Sequence, residues 1–329
     1  MLVPVFTLIS LGLGTVAIPF NQIVSSLLFK IIQNPDSSPM ASILLDIRLP
    51  RTLLALMTGA VLATTGAILQ GLFRNPLADP SLIGVSAGAS VGASAVIVLL
   101  GGVVELTMFS GLSLVAIGAF AGGFIATITV YRIATSNLGT SVTTMLLAGI
   151  AIAAVAGAAN SLMGYFSDNQ MLRQISVWEM GTLATANWLK VGIMALITLF
   201  LGVQLPAYTK ALNALLLGES EARYLGIDVQ RVKRSLILLT ALGVGVSVAL
   251  MGLIGFVGLV VPHMVRLMIG PDHRALLPAS ALAGALLLLV ADSLARVVVL
   301  PAELPTGILT ALLGAPFFVA LLIRQRREF

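Results

Sequence analysis

Three arginines stand at the ends of long apolar stretches and could bind carboxylates. Arg48 and Arg51 flank Pro50 immediately before the charge-free residues 52–73, and Arg296 follows another apolar stretch. A guanidinium group presents a rigid fork of donors that matches a carboxylate in bidentate geometry. One interpretation is a docking site for the carboxylates of a partner. The other is that these side chains snorkel to the polar edge of a membrane and anchor helix ends.

The composition indicates a membrane protein. Of the 329 residues 58% are hydrophobic and 9% charged, and the mean hydropathy is +1.08, whereas a soluble domain carries about 25% charged residues. A membrane-spanning helix needs about 20 apolar residues. The charge-free stretches that approach or exceed this length are 1–29, 52–73, 81–104, 106–130, 138–167, 191–209, 235–265, 275–291 and 304–323.

The stretch 235–265 is too long for one span. It contains Gly252, Gly255, Gly258 and Pro262, residues that interrupt helices, so we expect one span near 235–254 and a shorter one near 257–269. The sequence therefore predicts an all-α, polytopic protein of about ten transmembrane helices in a single domain, 1–329.

Charge bias sets the expected orientation. With ten spans and both termini inside, most of the 18 lysines and arginines fall on the cytoplasmic side, as the positive-inside rule requires. Arg48, Arg51 and Arg296 then face outward. The net charge of +5 fits cytoplasmic loops beside anionic lipid, and we expect no nucleic-acid partner.

The sequence lacks the motifs of several kinds of enzyme and metal site. The sequence has no G-x-x-x-x-G-K-[ST] phosphate loop, no H-E-x-x-H motif and no cysteine, so we expect neither nucleotide hydrolysis nor a metal or other cofactor on this chain. The predicted span interiors are almost free of ionisable groups. Asp292 lies one helical turn before Arg296, and this spacing predicts an i,i+4 ion pair. Energy for any transport must therefore enter from elsewhere.

The longest basic loop on the inner side, about 206–234, reads as two short helices joined at Gly218. Glu219 and Glu221 provide an acidic start to the second helix, and Gly226 provides a second break. The loop could be an amphipathic helix lying on the membrane surface. It could equally be a helical pair gripped by a groove of a cytoplasmic partner.

Five stretches resemble, in order, the FecCD-type permeases of type II ABC importers, and the similarity covers about residues 46–325. The stretches are "RLPRTLLALMTGAVLATTGAILQGLFRNPLADPSLIGVSAGA", "LLLGESEARYLGI", "GFVGLVVPHMVRL", "DHRALLPASALAGA" and "PAELPTGILTALLGAPFF". The resemblance implies a ten-helix subunit of a homodimer in the bacterial inner membrane. It also implies two ATPase subunits that hold ATP and Mg²⁺, and a periplasmic binding protein.

The resemblance assigns roles to particular positions. Docking of the binding protein falls on Arg48, Arg51 and Arg296. Contact with the ATPase falls on the loop at about 206–234, which we call the coupling segment, and its motif positions are Leu212, Leu216, Gly218, Glu219, Ala222, Arg223 and Gly226. An inner gate falls on Asn75, Leu77, Thr140 and Ser141. Without the resemblance, "NPLADP" reads as a capped turn, as its prolines indicate.

The cargo is the least determined feature. The connection "YFSDNQMLRQISVWEMGTLATANW" is similar in wording to haem permeases, so we expect haem, with a ferric siderophore or cobalamin as alternatives. His263 and His273 lie at predicted inner span ends, and we expect structural roles for both. An ion-coupled secondary transporter and a structural subunit of a respiratory complex are the interpretations from other classes. Scarce carboxylates within the spans disfavour the first, and the lack of histidine pairs disfavours the second.

Overall fold

The structure is a computed structural model that describes residues 2–14, 18–19, 23, 39–101, 114–137 and 139–326. Helices form almost all of this part. A short helix (Pro39–Ser42) and a π-helix (Ile43–Arg48) lead into the second long helix. The helices in chain order are α1 (Leu2–Gly12), α2 (Leu49–Phe73), α3 (Val85–Leu99), α4 (Leu114–Ala134), α5 (Val142–Phe166), α6 (Asn169–Glu179), α7 (Trp188–Gln204), α8 (Thr209–Leu217), α9 (Glu219–Tyr224), α10 (Val229–Met251), α11 (Val257–Ile269), α12 (His273–Ala295) and α13 (Thr306–Arg326). An antiparallel hairpin of β1 (Thr135–Ser136) and β2 (Gly139–Thr140) joins α4 to α5.

The number of apolar helices agrees with the predicted ten. Six helical segments of the described chain are long and apolar enough to cross a membrane: Met40–Phe73, Leu114–Ala134, Val142–Phe166, Trp188–Leu217, Val229–Met251 and His273–Ala295. Four shorter apolar helices accompany them: Leu2–Gly12, Val85–Leu99, Val257–Ile269 and Thr306–Ala320. The all-α, multi-pass prediction is confirmed. Much of the first predicted span, 1–29, lies outside the described residues.

The predicted break in 235–265 is confirmed. α10 ends at Met251 and α11 begins at Val257, and the backbone between them turns through positive φ angles of 76° at Gly252 and 66° at Phe256. Non-helical backbone at membrane depth is tolerated only where protein satisfies its polar groups. Here the Met251 carbonyl accepts a hydrogen bond of 2.7 Å from the Thr182 backbone N–H. The break is therefore held by the segment that follows α6.

Pairs of glycines allow the central helices to pack backbone to backbone. Gly59 of α2 lies against Gly284 of α12, and Gly66 of α2 lies against Gly258 of α11. The pair α3 and α4 uses the same device along its length, at Gly88 with Gly122 and at Gly92 with Gly118. In lipid, where apolar surfaces gain little by leaving the solvent, close approach at small residues is a main source of helix association.

One helix was not anticipated. The connection from α5 to α7, noted above for its similarity to haem permeases, contains α6. Asp168 caps this helix by accepting a 2.8 Å hydrogen bond from the Met171 backbone N–H. α6 has no buried residue. Arg173 in its middle and Glu179 at its end interrupt the sequence, so α6 lacks the charge-free run that revealed the spans. Its last residue, Glu179, accepts hydrogen bonds from Ser90 of α3 and Asn160 of α5.

The glycine packing generates a test. In Gly66→Val, the new side chain meets the Gly258 carbonyl, so α2 and α11 must separate. Such overpacking commonly costs about 1–3 kcal/mol, and we expect a lower midpoint of thermal unfolding in detergent. The control is Gly192→Val in α7, because a Cβ at Gly192 meets no atom within 4 Å. Equal midpoints for the two variants would show that the close approach is not required.

Candidate functional site

All three predicted docking arginines are buried. Arg48 and Arg51, around the start of α2, are each 5% exposed, and Arg296, which follows α12, is 3% exposed. Their guanidinium groups point into the protein and bond to it. This burial argues against the interpretation that the side chains snorkel to lipid headgroups.

Asp292 of α12 is the centre of this outer cluster. Its carboxylate is fully buried and accepts two hydrogen bonds of 3.0 Å from Arg51 Nε. Arg296 Nε lies 3.3 Å from Asp292 Oδ2, which confirms the predicted i,i+4 pair. Thr306 at the start of α13 donates a further bond of 3.1 Å to Oδ1. One carboxylate thus joins α2, α12 and α13.

The same arginines also fasten α1. Arg296 Nη2 donates to Ser10 Oγ at 2.6 Å, and Arg296 Nη1 donates to the Ser10 and Leu13 carbonyls at 3.2 and 3.1 Å. Arg48 Nη1 donates to the Leu11 carbonyl at 2.7 Å. Carbonyls at a helix C-terminus lack partners within the helix. The arginines therefore satisfy the end of α1.

Arg51 also has one partner that solvent can reach. Its Nη1 donates to Glu303 Oε2 at 2.6 Å, and the Glu303 side chain is 37% exposed. Glu303 lies in the loop between α12 and α13. It is the exposed edge of an otherwise buried cluster.

The coupling segment has the predicted form. α8 and α9 are short helices joined at Gly218, whose φ is 131°, and Gly226, with φ 81°, follows α9. Leu212 and Ala222 are fully buried against the bundle. Leu216 is 36% exposed and faces away from the core.

α8 is tied to the start of α12 by Asn213. Its amide donates to Asp272 Oδ1 at 2.6 Å, while its Oδ1 accepts from the His273 backbone N–H at 2.9 Å and faces His273 Nδ1 at 2.8 Å. The bonds that Asp272 accepts from the Arg274 backbone N–H and from Asn213 hold the pKa of its carboxyl below the usual value. A depressed pKa means that the tie is complete at neutral pH and is lost only on acidification.

α9 is tied to α10 and to the hairpin by Lys233. Lys233 Nζ donates to Glu219 Oε1 at 2.6 Å and to the Thr140 carbonyl at 2.8 Å. Lys233 is 2% exposed. Arg223, the other cation near Glu219, is 4.0 Å away with a side chain 59% exposed.

The four predicted gate residues occupy two separate settings. Asn75 Oδ1 accepts a 2.9 Å bond from the Leu77 backbone N–H, so "NPLADP" does contain a capped turn. Ser141 caps α5 by accepting from the Thr144 backbone N–H at 3.3 Å. Thr140 is buried beside Lys233, whereas Leu77 lines a small apolar crevice with Leu259, Val260, His263, Phe317 and Phe318. The gate role stays a prediction.

Both histidines take part in helix packing. His273 is fully buried and bonded to Asn213, and His263 is 7% exposed on α11. Among the residues that the structure describes, no group of three or more His, Asp or Glu side chains could hold a metal ion.

Comparison with known proteins identifies the family. Residues 2–324 match the FecCD transport family. The chain belongs to the FecCD transport family. It is 45% identical over 325 residues to the hemin transport system permease protein HmuU of Yersinia pestis, covering 98% of this chain and 94% of that protein. It is 47% identical over 280 residues to the cobalamin import system permease protein BtuC of Halobacterium salinarum, covering 84% and 72%.

A solved structure has the same fold. It is an inward-facing conformation of a metal-chelate type ABC transporter, with a TM-score of 0.84, 32% identity and coverage of 98% of this chain and 96% of that one. This FecCD protein is thus the membrane permease of an ABC importer.

Three residues of this FecCD chain were missed by sequence reasoning: Asn213, Lys233 and Glu303. Lys233 was counted only as one of several basic residues in the coupling segment, and Glu303 only as part of a motif. The residues next to Lys233 and Glu303 in the sequence do not indicate which groups these side chains bond to. Asp272 and Asn213 are 59 residues apart, so only the fold brings them together.

Removal of the central carboxylate tests the outer cluster. Asp292→Asn leaves the buried Arg296 without a neutralising charge and leaves Arg51 with Glu303 as its remaining carboxylate, and breaking a buried ion pair in this way costs about 3–5 kcal/mol. We expect a large fall in the midpoint of thermal unfolding in detergent. Asp46→Asn, at an exposed site close by in the chain, is the matched control. If Asp292→Asn unfolds at the same temperature as the control, the cluster does not stabilise the fold.

Proposed function

We propose that this permease moves a ferric chelate, with haem preferred, from a periplasmic binding protein to the cytoplasm by alternating access. The observation that carries the mechanism is that the coupling segment has two separate polar ties to the bundle, one at Asn213 and one at Lys233. The similarity to the hemin permease over 98% of the chain supports haem. The similarity to cobalamin permeases keeps cobalamin as the second candidate, with a ferric siderophore as a third.

ATP hydrolysis is assigned to partner chains that hold ATP and Mg²⁺. An ABC permease requires ATPase and binding-protein partners, and this chain contributes no catalytic residue in the proposal. The exposed Leu216 and Arg223 of the coupling segment would meet an ATPase subunit, while the buried Leu212 and Ala222 transmit its movement into the bundle. Closure of the ATPase dimer would then shift the balance between inward-open and outward-open states.

A homodimer is supported by the faces that this chain leaves uncovered. α5 exposes a row of large apolar side chains, with Leu147 at 63%, Ile150 at 60% and Val155 at 66%. A membrane-spanning helix with such a face packs against lipid or against a second copy. In the proposal, α5 of each copy borders the shared pathway. Asn75, Leu77, Thr140 and Ser141 close that pathway at its cytoplasmic end, and both termini lie in the cytoplasm.

Docking of the binding protein is proposed at the outer cluster, through Arg51. Arg48 and Arg296 donate to backbone carbonyls at the end of α1, whereas Arg51 donates to the carboxylate of Glu303, whose side chain is 37% exposed and can be exchanged for another carboxylate. A carboxylate of the binding protein would take the place of Glu303 on Arg51 Nη1. Arg48 and Arg296 then hold α1 and α12 in position around the docking point.

Reconstitution tests the cargo. The permease, its ATPase and its cognate binding protein are placed in proteoliposomes, and ATP-dependent uptake is compared for haem, a ferric siderophore and cobalamin. We expect haem to be taken up fastest, and uptake to require both the binding protein and ATP. Preference for cobalamin would transfer the proposal to the second candidate. Uptake driven by an ion gradient without ATP would refute the importer mechanism.

Docking is tested by capture on immobilised binding protein. Glu303→Gln removes the internal competitor for Arg51, so we expect tighter capture, while Arg51→Gln should weaken it. Each effect should be about tenfold or less, as is usual for charge pairs at the rim of an interface. Arg173→Gln, an exposed cation on α6, serves as the control. If Glu303→Gln weakens capture, exchange at Arg51 is not the docking step.

A further inference from the structure

We propose that Lys233 is the positioning residue that carries movement of the coupling segment to the hairpin before α5. The inference rests on the proposed function, because it names the route by which ATPase movement reaches the predicted gate at Thr140. It assigns a role to a residue that neither the family motifs nor the charge pattern single out.

The ammonium group of Lys233 bridges two elements. It has three N–H donors, of which one reaches Glu219 Oε1 at 2.6 Å and another reaches the Thr140 carbonyl at 2.8 Å. Glu219 is the first residue of α9, directly after the Gly218 break. Thr140 is the last residue of β2, two positions before α5 begins. The Lys233 side chain on α10 therefore bonds both to α9 and to the hairpin.

Thr140 is held at both of its backbone polar groups by α10. Its carbonyl accepts from Lys233, and its N–H donates to Gln230 Oε1 at 2.8 Å. Gln230 and Lys233 are three residues apart, which places them on one face of α10. The next residue, Ser141, donates its backbone N–H to the Ala134 carbonyl at 2.9 Å. The position of the hairpin is thus set by α10 rather than by the strands alone.

Burial makes the connection stiff. Lys233 is 2% exposed, so its charge depends on the oxygens around it, and a buried charge without partners is strongly unfavourable. If α9 moves, either the hairpin follows Glu219 and Lys233 or the ammonium group loses a partner. The exposed pair of Glu219 with Arg223 at 4.0 Å imposes no such constraint, because water can replace it.

The competing explanation is that Lys233 and Glu219 form an ion pair that only holds α9 in place. Exchanging the two charged residues distinguishes this explanation from the positioning role. In the double variant Glu219→Lys with Lys233→Glu, opposite charges still face each other. However, a carboxylate at 233 has no N–H to give to the Thr140 carbonyl. A plain ion pair predicts that exchange restores function. The positioning role predicts that it does not, whereas Lys233→Arg, which keeps donors for both oxygens, restores it at least in part.

The first experiment measures cargo moved per ATP hydrolysed in proteoliposomes containing the full complex. We expect Lys233→Met and the exchange variant to retain ATP hydrolysis but to lower this ratio about tenfold, within the range of free-energy coupling between sites. Glu219→Gln should lower it as well, and adding Glu219→Gln to Lys233→Met should cause little further loss. The control, Arg132→Met, removes a charge from an exposed position near the end of α4, outside the coupling segment, and should match the wild type.

The second experiment observes the hairpin without transport. Because the chain contains no cysteine, Thr140→Cys supplies a single thiol at a position that is 5% exposed, and its rate of labelling can be followed in the permease in detergent. Lys233→Met should raise the rate about tenfold, and Arg132→Met should leave it unchanged. Unchanged labelling, or restored coupling in the exchange variant, would overturn the role of Lys233. Failure of the wild-type complex to transport any cargo would instead count against the proposed function.

Discussion

Close backbone contact along α2 is the constraint on which the arrangement of the bundle depends. In a membrane, helices gain little from hiding apolar surface, so packing relies on approach at small residues. Gly59 fixes α12 against the first half of α2, and Gly66 fixes α11 against the second half. Near the far end of α2, Gly71 lies directly against the ring of His273. These three contacts therefore fix the positions of α11 and α12 along α2.

That packing places polar clusters at the two ends of α12. At one end Asp292 collects Arg51, Arg296 and Thr306, and at the other end Asp272 and His273 bind Asn213. Each cluster joins α12 to elements that are distant in sequence. Because Asp292 and His273 are both fully buried, these bonds fix the two ends of α12 relative to the neighbouring elements.

The coupling segment contacts the bundle on both sides of its hinge. α8, before Gly218, is bound to α12 through Asn213, and α9, after Gly218, is bound to α10 through Glu219 and Lys233. Both α12 and α10 pack against α2, so in the proposed mechanism a movement at Gly218 would reach two neighbours of α2. The chain must turn between α8 and α9 for each helix to reach its own partner. It turns at Gly218, where φ is 131°, a value that suits glycine.

The sequence by itself determined the features that depend on local pattern. Charge-free length specified the spans, glycine and proline marked the break after Met251 and the hinge at Gly218, and the four-residue spacing specified the pair of Asp292 with Arg296. Helix α6 escaped because its residues are polar on one side and carry no charge-free run. Only the tertiary structure decided that the arginines turn inward and that Lys233 meets Thr140, 93 residues away. The physical reason is that a charged side chain pairs with the polar group that helix packing brings within about 3 Å. That packing depends on residues far away in the chain, so the residues around Lys233 do not predict it.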